Sequence, residues 1–213
     1  VEVVGKRDNL KIAPDFTNLI EGIIPESHDY KTNQFCIVPN YRMIDKTDKQ
    51  KADAYLPFMT KITKYAYEND LRPFILLHEG PDDLKLAEAI QDAVSSNIQI
   101  LKESDPLKIK GIIGASTGTV GSRFHGLVSA LSQGKPALAT GWSHKYQMLF
   151  EEYGFPEGLL DVHMSDCELF RIMDLLIDDS SRSKITNVIK QNSKILKEST
   201  NMMWDDVISV LRA

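Results

Sequence analysis

The chain has 213 residues, with 25 Lys and Arg against 30 Asp and Glu, a formal charge of −5. A hydrophobic share of 42% and a charged share of 26% are ordinary globular values, which argues against a disordered or fibrous chain. No apolar run approaches the ~20 residues needed to cross a bilayer, so no integral membrane segment is expected. A mildly acidic chain without a Lys/Arg cluster is also a poor nucleic-acid binder. Cys36 and Cys167 are far apart and lack CxxC spacing, which disfavours a disulfide scaffold or structural zinc. Two thiols suit a reducing cytoplasm. The chain opens on Val1 rather than Met, without a signal-peptide pattern. A processed chain or part of a longer one is expected.

Residues 1–33 mix short apolar pieces with Gly5, Pro14, Gly22 and Pro25. They read as a connecting segment with one strand near Leu10–Ile12. From residue 34 short apolar strands alternate with helical patterns. Strands are expected at 34–38, 73–77, 98–101, 119–122, 136–140 and 159–162. Helices are expected at 52–68, 82–95, 105–115, 124–133, 145–153, 166–177 and 183–211. Asp105-Pro106 is a helix-start pair, and Gly134 and Gly154 close helices. The pattern predicts an α/β domain over 34–180: a Rossmann-like parallel sheet of about six strands, with helices on both faces. A C-terminal helical segment fills 181–213.

Ligands of such sheets sit at the carboxyl ends of the strands. The polar residues there are Asn40 and Arg42 after the first strand, and His78 and Glu79 after the second. Ser122, Arg123 and His125 follow the fourth strand. Trp142, Ser143, His144 and Lys145 follow the fifth. Three of five histidines, two arginines and a lysine therefore share one rim, which suits an anionic small ligand. The helix start at 122–126 offers free N–H groups and a positive dipole end. Arg123 can clamp an anion there, and His125 can move a proton near neutral pH. The competing reading is that Arg123 caps a neighbouring helix and His125 packs under a loop. His28 and His163 lack polar company and read as structural or exposed. No cluster demands a metal, and no cofactor is expected.

The block Ser122–Tyr146, SRFHGLVSALSQGKPALATGWSHKY, resembles the signature of the polysaccharide pyruvyl transferase family. Ile37-Val-Pro-Asn40 with Arg42-Met43, His78-Glu79 with Asp82-Asp83, and Lys11–Asp15 are similar to further landmarks of that family. The resemblance implies transfer of pyruvate from phosphoenolpyruvate, as donor substrate, to a sugar of a surface polysaccharide. The product is a pyruvate ketal, and phosphate is released. It implies a fold similar to the C-terminal, donor-side half of a GT-B glycosyltransferase, with 34–180 as the donor-binding domain and 1–33 leading from a largely absent N-terminal, acceptor-side domain. Arg123 and His125 then carry over as donor-binding and catalytic residues. His78 follows as a second catalytic candidate. Ser122, Lys145, Trp142, Ser143, Asn40 and Arg42 follow as substrate-binding candidates. The expected partners are the small-molecule donor and a saccharide acceptor, which peripheral contact with a membrane can supply in lipid-linked form. Two other readings stay open. One is a nucleotide-sugar glycosyltransferase, with Glu151 or Glu152 gripping the ribose. The other is a non-catalytic domain that binds an anionic ligand.

Overall fold

The computed structural model describes residues 10–29, 31–78, 80–141 and 143–212. Its strands are β1 (Phe35–Val38), β2 (Pro73–Leu77), β3 (Ile100–Lys102), β4 (Gly118–Gly121) and β5 (Ala137–Ala139). Its helices are α1 (Arg42–Asp45), α2 (Lys49–Glu68), α3 (Pro81–Val94), α4 (Pro106–Ala115), α5 (Phe124–Ser132), α6 (His144–Glu152), α7 (Asp166–Ile177) and α8 (Asp179–Leu211). Single 3₁₀ turns lie at Phe16–Leu19 and Pro156–Gly158.

The described residues form a five-stranded sheet in the order β3-β2-β1-β4-β5, and every pairing is parallel. Central strand β1, Phe-Cys-Ile-Val, is buried at all four positions, as a strand covered on both faces must be. Its register sets Cys36 beside Phe74 of β2 and Thr119 of β4. Helices α2 and α3 pack together on one face, and α4 and α5 pack together on the other. Chain direction across the sheet reverses between β1 and β4, so their carboxyl ends form the crevice where this topology binds ligands.

Side-chain caps set several helix starts. Asp48 Oδ1 accepts from Lys51 N at 3.0 Å, and α2 therefore begins three residues before the apolar periodicity does. Asp178 accepts from Ser181 N at 2.7 Å and starts the 33-residue α8 four residues before Ser183. Asp105 accepts from Leu107 N at 2.9 Å, with Pro106 in the first turn of α4.

Two sequence expectations are corrected, and one element was not anticipated. Residues 10–12 form no strand: Leu10 and Ile12 are exposed, and the segment pairs with no sheet edge. The expected sixth strand shrinks to a single bridge between Ala139 and Leu159. The 3₁₀ turn at Pro156–Gly158 leaves only Leu160 N to reach Ala139 O, at 2.7 Å. The one-turn α1 had no periodicity to announce it.

Residues 10–29 form a strap against the helices. Its 3₁₀ turn contacts α5 and α8, and Ile23 N donates to Leu107 O of α4 at 2.9 Å. The crossing is backbone on backbone. A Cβ on Gly111 would lie 2.1 Å from Ile23 O, and one on Gly22 would lie 2.4 Å from Gly111 N. Glycine at both positions is what lets the strap lie against α4.

Candidate active site

The junction between β4 and α5 is built from the inside outward. Ser122 is fully buried. Its hydroxyl lies 3.1 Å from Tyr55 Oη and 2.7 Å from Thr140 Oγ1. Its carbonyl accepts from Asn40 Nδ2 at 2.7 Å and from Tyr146 Oη at 2.9 Å. Asn40 N donates to Tyr55 Oη at 3.0 Å. One network thus ties α2, α6 and the ends of β1, β4 and β5 together. Burial pushes the Tyr55 phenol up to about 12, so it stays a neutral hydrogen-bonding group. Ser122 and Asn40, expected at the ligand, lie beneath the rim and hold it in shape.

Arg123 takes the N-cap position of α5, and no side chain caps this helix. Its guanidinium does not project as the open anion clamp expected from the sequence. Nη2 lies 2.6 Å and Nε 3.1 Å from Asp83 Oδ2. The Arg123 side chain is 12% exposed and that of Asp83 is 1% exposed. The other Asp83 oxygen accepts from Tyr41 N at 2.8 Å. The reading of Arg123 as a tie to a neighbouring helix therefore has the geometry, since Asp83 lies in the first turn of α3. A paired carboxylate is what allows so much charge to be buried here.

Arg42 turns to Asp45, 2.6 Å away on its own helix turn, and is half exposed. Lys145 Nζ sits 4.4 Å from the centre of the Phe124 ring, a cation–π contact beside the start of α5. Ser143 is the N-cap residue of α6, and its hydroxyl is buried without a hydrogen bond. Glu79 and Trp142 lie outside the described residues. Glu151 and Glu152 are exposed in the last turn of α6, and burial followed by the charge of Asp15 raises the Glu152 carboxyl.

The two leading histidines do converge. A cavity of about 610 Å³ opens between the 3₁₀ turn at 16–19, α4 and the first turns of α5. His78, His125, Ser104, Lys110 and Ser129 line it. This size is within the ~300–1,000 Å³ typical of small-molecule sites. His125 is exposed at its mouth, with Nε2 3.6 Å from Asp15 Oδ2. The other Asp15 oxygen accepts from Thr17 N at 2.9 Å and so fixes the carboxylate. Lys110 is 5% exposed and donates to Thr17 O at 2.9 Å. Burial lowers the Lys110 ammonium to about 8; Lys197 adds to the shift and Asp15 opposes it. The ammonium remains charged at neutral pH and loses its proton more easily than a surface lysine does.

Lys110, Asp15 and Ser129 were not picked out from the sequence. Lys110 did leave a trace, as a single charge inside the apolar stretch Ile109–Ile113 of α4. Asp15 appeared only as the end of the family-like stretch Lys11–Asp15, with no sign of a place beside His125, because only the fold carries the strap across to α5. Among the described residues no group of three His, Cys, Asp or Glu side chains is placed to hold a metal. The arrangement offers two imidazoles for proton transfer, a buried ammonium, and an uncapped helix N-terminus for an anion.

Comparison with known proteins gives both a family and a fold. The sequence model of the family described as polysaccharide pyruvyl transferase matches residues 2–144, more than half of the chain. Among solved structures the chain is similar to the S. aureus MnaA–UDP co-structure, with a TM-score of 0.58 and 12% identity over 86% of this chain and 47% of that one. It is similar to a Thermobaculum terrenum O-GlcNAc transferase mutant, with a TM-score of 0.56 and 10% identity over 85% of this chain and 36% of that one. TarM gives a TM-score of 0.53 and 15% identity over 91% and 37%. At these identities the likeness is one of fold. The chain spans between 36% and 47% of the length of these three proteins, as one half of a GT-B-like architecture does.

Proposed function

The chain belongs to the polysaccharide pyruvyl transferase family, and on that premise we propose that its His78–His125 cavity binds phosphoenolpyruvate and serves pyruvate ketal formation on a saccharide. The observation that carries this reading is the meeting of both histidines with Lys110 beside the uncapped start of α5. Phosphoenolpyruvate carries a phosphate and a carboxylate, so its site needs concentrated positive charge. The α5 N–H groups and the Lys110 ammonium supply it within the cavity, and Lys145 adds charge near the helix start. Arg123 contributes by fixing the α5 terminus against Asp83.

In this mechanism His125 donates a proton to the enol methylene, which becomes the methyl group. The cation left at C2 is attacked by one sugar hydroxyl, whose proton passes to His78. The C2–phosphate bond breaks, and a second hydroxyl of the same sugar closes the ketal. Of the two hydroxyl protons, one balances that taken up by the methyl group and the other leaves with phosphate. Positioned acid–base groups typically contribute ~10²–10⁴-fold to such a step. The 3.6 Å contact with Asp15 places a carboxylate where it compensates a protonated His125.

Among the described residues no helix is long and apolar enough to cross a membrane. The GT-B-like fold keeps a nucleotide sugar as the competing donor. The test is phosphate release from phosphoenolpyruvate in the presence of a saccharide acceptor, assayed in the complete protein that contains this chain. His125→Ala is expected to lower kcat by at least about a hundredfold. Turnover of a UDP-sugar with none of phosphoenolpyruvate would replace this reading with the glycosyltransferase one.

A further inference from the structure

Between Asp179 and Glu198 the sequence holds Arg182, Lys184, Lys190, Lys194 and Lys197 and no carboxylate. On a chain of charge −5 this is a local reversal of sign. Lys190, Lys194 and Lys197 stand four and three residues apart in α8, so the helix gathers them on one face. A cavity of about 340 Å³ lies between that face and the end of α5, and all three lysines line it, with Glu198 and Asn201 beside them. Gly134 closes α5 with a φ of +72°, and a Cβ there would lie 2.3 Å from Lys190 Cγ. The Lys190 stem therefore lies across the turn that ends α5.

Lysines beside a helix end commonly serve its unpaired carbonyls. Here those carbonyls are already taken. Ser129 O accepts from Gln133 Nε2 at 2.7 Å, and Ala130 O accepts from the Gln133 and Lys135 amides at 3.1 and 3.0 Å. Leu131 O accepts from Gly134 N at 2.9 Å, and Ser132 O from Ser193 Oγ at 2.8 Å. Among the described residues none of the three lysines forms an ion pair. Their charges act on other lysines instead. Burial lowers the Lys135 ammonium and Lys190 adds to the shift, as Lys197 does at Lys110. Like charges held together without a carboxylate partner cost free energy that a bound anion relieves. Three ammonium groups against the Glu198 carboxylate leave an excess of two positive charges in the lining. Lysine is a compact charge with three rotatable donors and lacks the planar fork by which arginine matches a carboxylate. An all-lysine set therefore suits a tetrahedral oxyanion.

We propose that this cavity between α5 and α8 is an anion site separate from the candidate active site, and that it takes a phosphate-bearing ligand, either soluble or as a lipid headgroup. It lies at the other end of α5 from His125 and does not rest on the proposed function. The test uses amide ¹H–¹⁵N spectra of the full labelled chain, titrated with inorganic pyrophosphate. Sedimentation with phosphatidylcholine vesicles, with and without phosphatidylglycerol, runs beside it. The expected result is saturable shifts at 133–135 and across 190–201, sedimentation that requires phosphatidylglycerol, or both. In the double variant Lys194→Gln/Lys197→Gln the affinity is expected to fall at least about tenfold, as the loss of charged hydrogen bonds implies. An unchanged melting midpoint shows that this variant is folded. The control Lys49→Gln/Lys64→Gln removes as much charge from exposed positions of α2 and is expected to leave binding unchanged. Vesicle binding that the α8 variant loses assigns the phosphate to a lipid headgroup, and pyrophosphate shifts alone assign it to a soluble ligand. Absence of both overturns the inference. So does binding that the α8 variant retains, or that the α2 control weakens equally. Phosphoenolpyruvate added to the same sample reports at the His125 amide, so failure of the proposed function is seen there and not at α8.

Discussion

Arg123 shows how burial decides what a charge can do. An arginine at a helix start on a ligand rim suggests a clamp, yet its side chain is 12% exposed and paired with a fully buried carboxylate. Removing one partner of such a pair strands the other charge and typically costs about 3–5 kcal/mol. Arg123→Ala is therefore expected to lower the urea midpoint sharply. The double replacement Arg123→Met with Asp83→Leu should recover much of the loss. Equal destabilisation of single and double variants would remove the pairing argument. Lys110 makes the opposite case, a charge that is buried without a carboxylate partner. Its ammonium is depressed from 10.5 to about 8 in the folded chain, so there the unfolded chain holds the proton more tightly. Stability is accordingly expected to rise as pH climbs from about 8 toward 10.5, and the rise should be smaller in Lys110→Met. Thermal melts across that window check the sign. The cysteines divide in the same way. Cys36 is buried in β1 and burial pushes its thiol up, while Cys167 is exposed on α7. A thiol reagent should label Cys167 in the native chain and Cys36 only after unfolding.

At the scale of elements, what the sequence revealed is what local chemistry controls. Apolar periodicity, Asp-Pro and helix-ending glycines placed most of the helices within a few residues, because those signals act through neighbouring backbone groups, while the unread caps Asp48 and Asp178 start α2 and α8 earlier than expected. β2 was legible to the residue from its apolar run and its flanks. Pairings that depend on distant chain were not legible. The expected strand at 159–162 has the right composition, but the preceding turn gives it only one bridge to β5. The strap over α4 was equally hidden. Its marker is a pair of glycines whose meaning appears only once Gly22 lies on Gly111. Alanine in a helix is normally favoured over glycine by roughly 1 kcal/mol. At Gly111 a Cβ would collide with Ile23 O, and such overpacking typically costs about 1–3 kcal/mol. Gly111→Ala is thus expected to destabilise the chain and to expose the strap to proteolysis before the sheet melts. A more stable variant with an intact strap would contradict the crossing.

At the scale of the whole molecule, the site exists because separate parts of the chain arrive at one crevice. The rim was readable in advance: strand–helix alternation placed His78 and His125 among its polar residues, the family resemblance singled them out, and the fold brings them into one cavity. Asp15 and Lys110 were missed because they come from the strap and from α4, elements with no local link to the rim. Family membership names the chemistry, and the cavity gives that chemistry specific atoms. The most direct measurement is calorimetric titration of the chain with phosphoenolpyruvate, beside UDP-sugars, in wild type, Lys110→Met and His125→Ala. Phosphoenolpyruvate is expected to bind wild type and, at ~100 times its Kd, to stabilise it by roughly 2.7 kcal/mol. Loss of the buried ammonium should weaken that binding by about 10–100-fold. Binding of UDP-sugars without phosphoenolpyruvate, or phosphoenolpyruvate affinity untouched by both substitutions, would contradict the account.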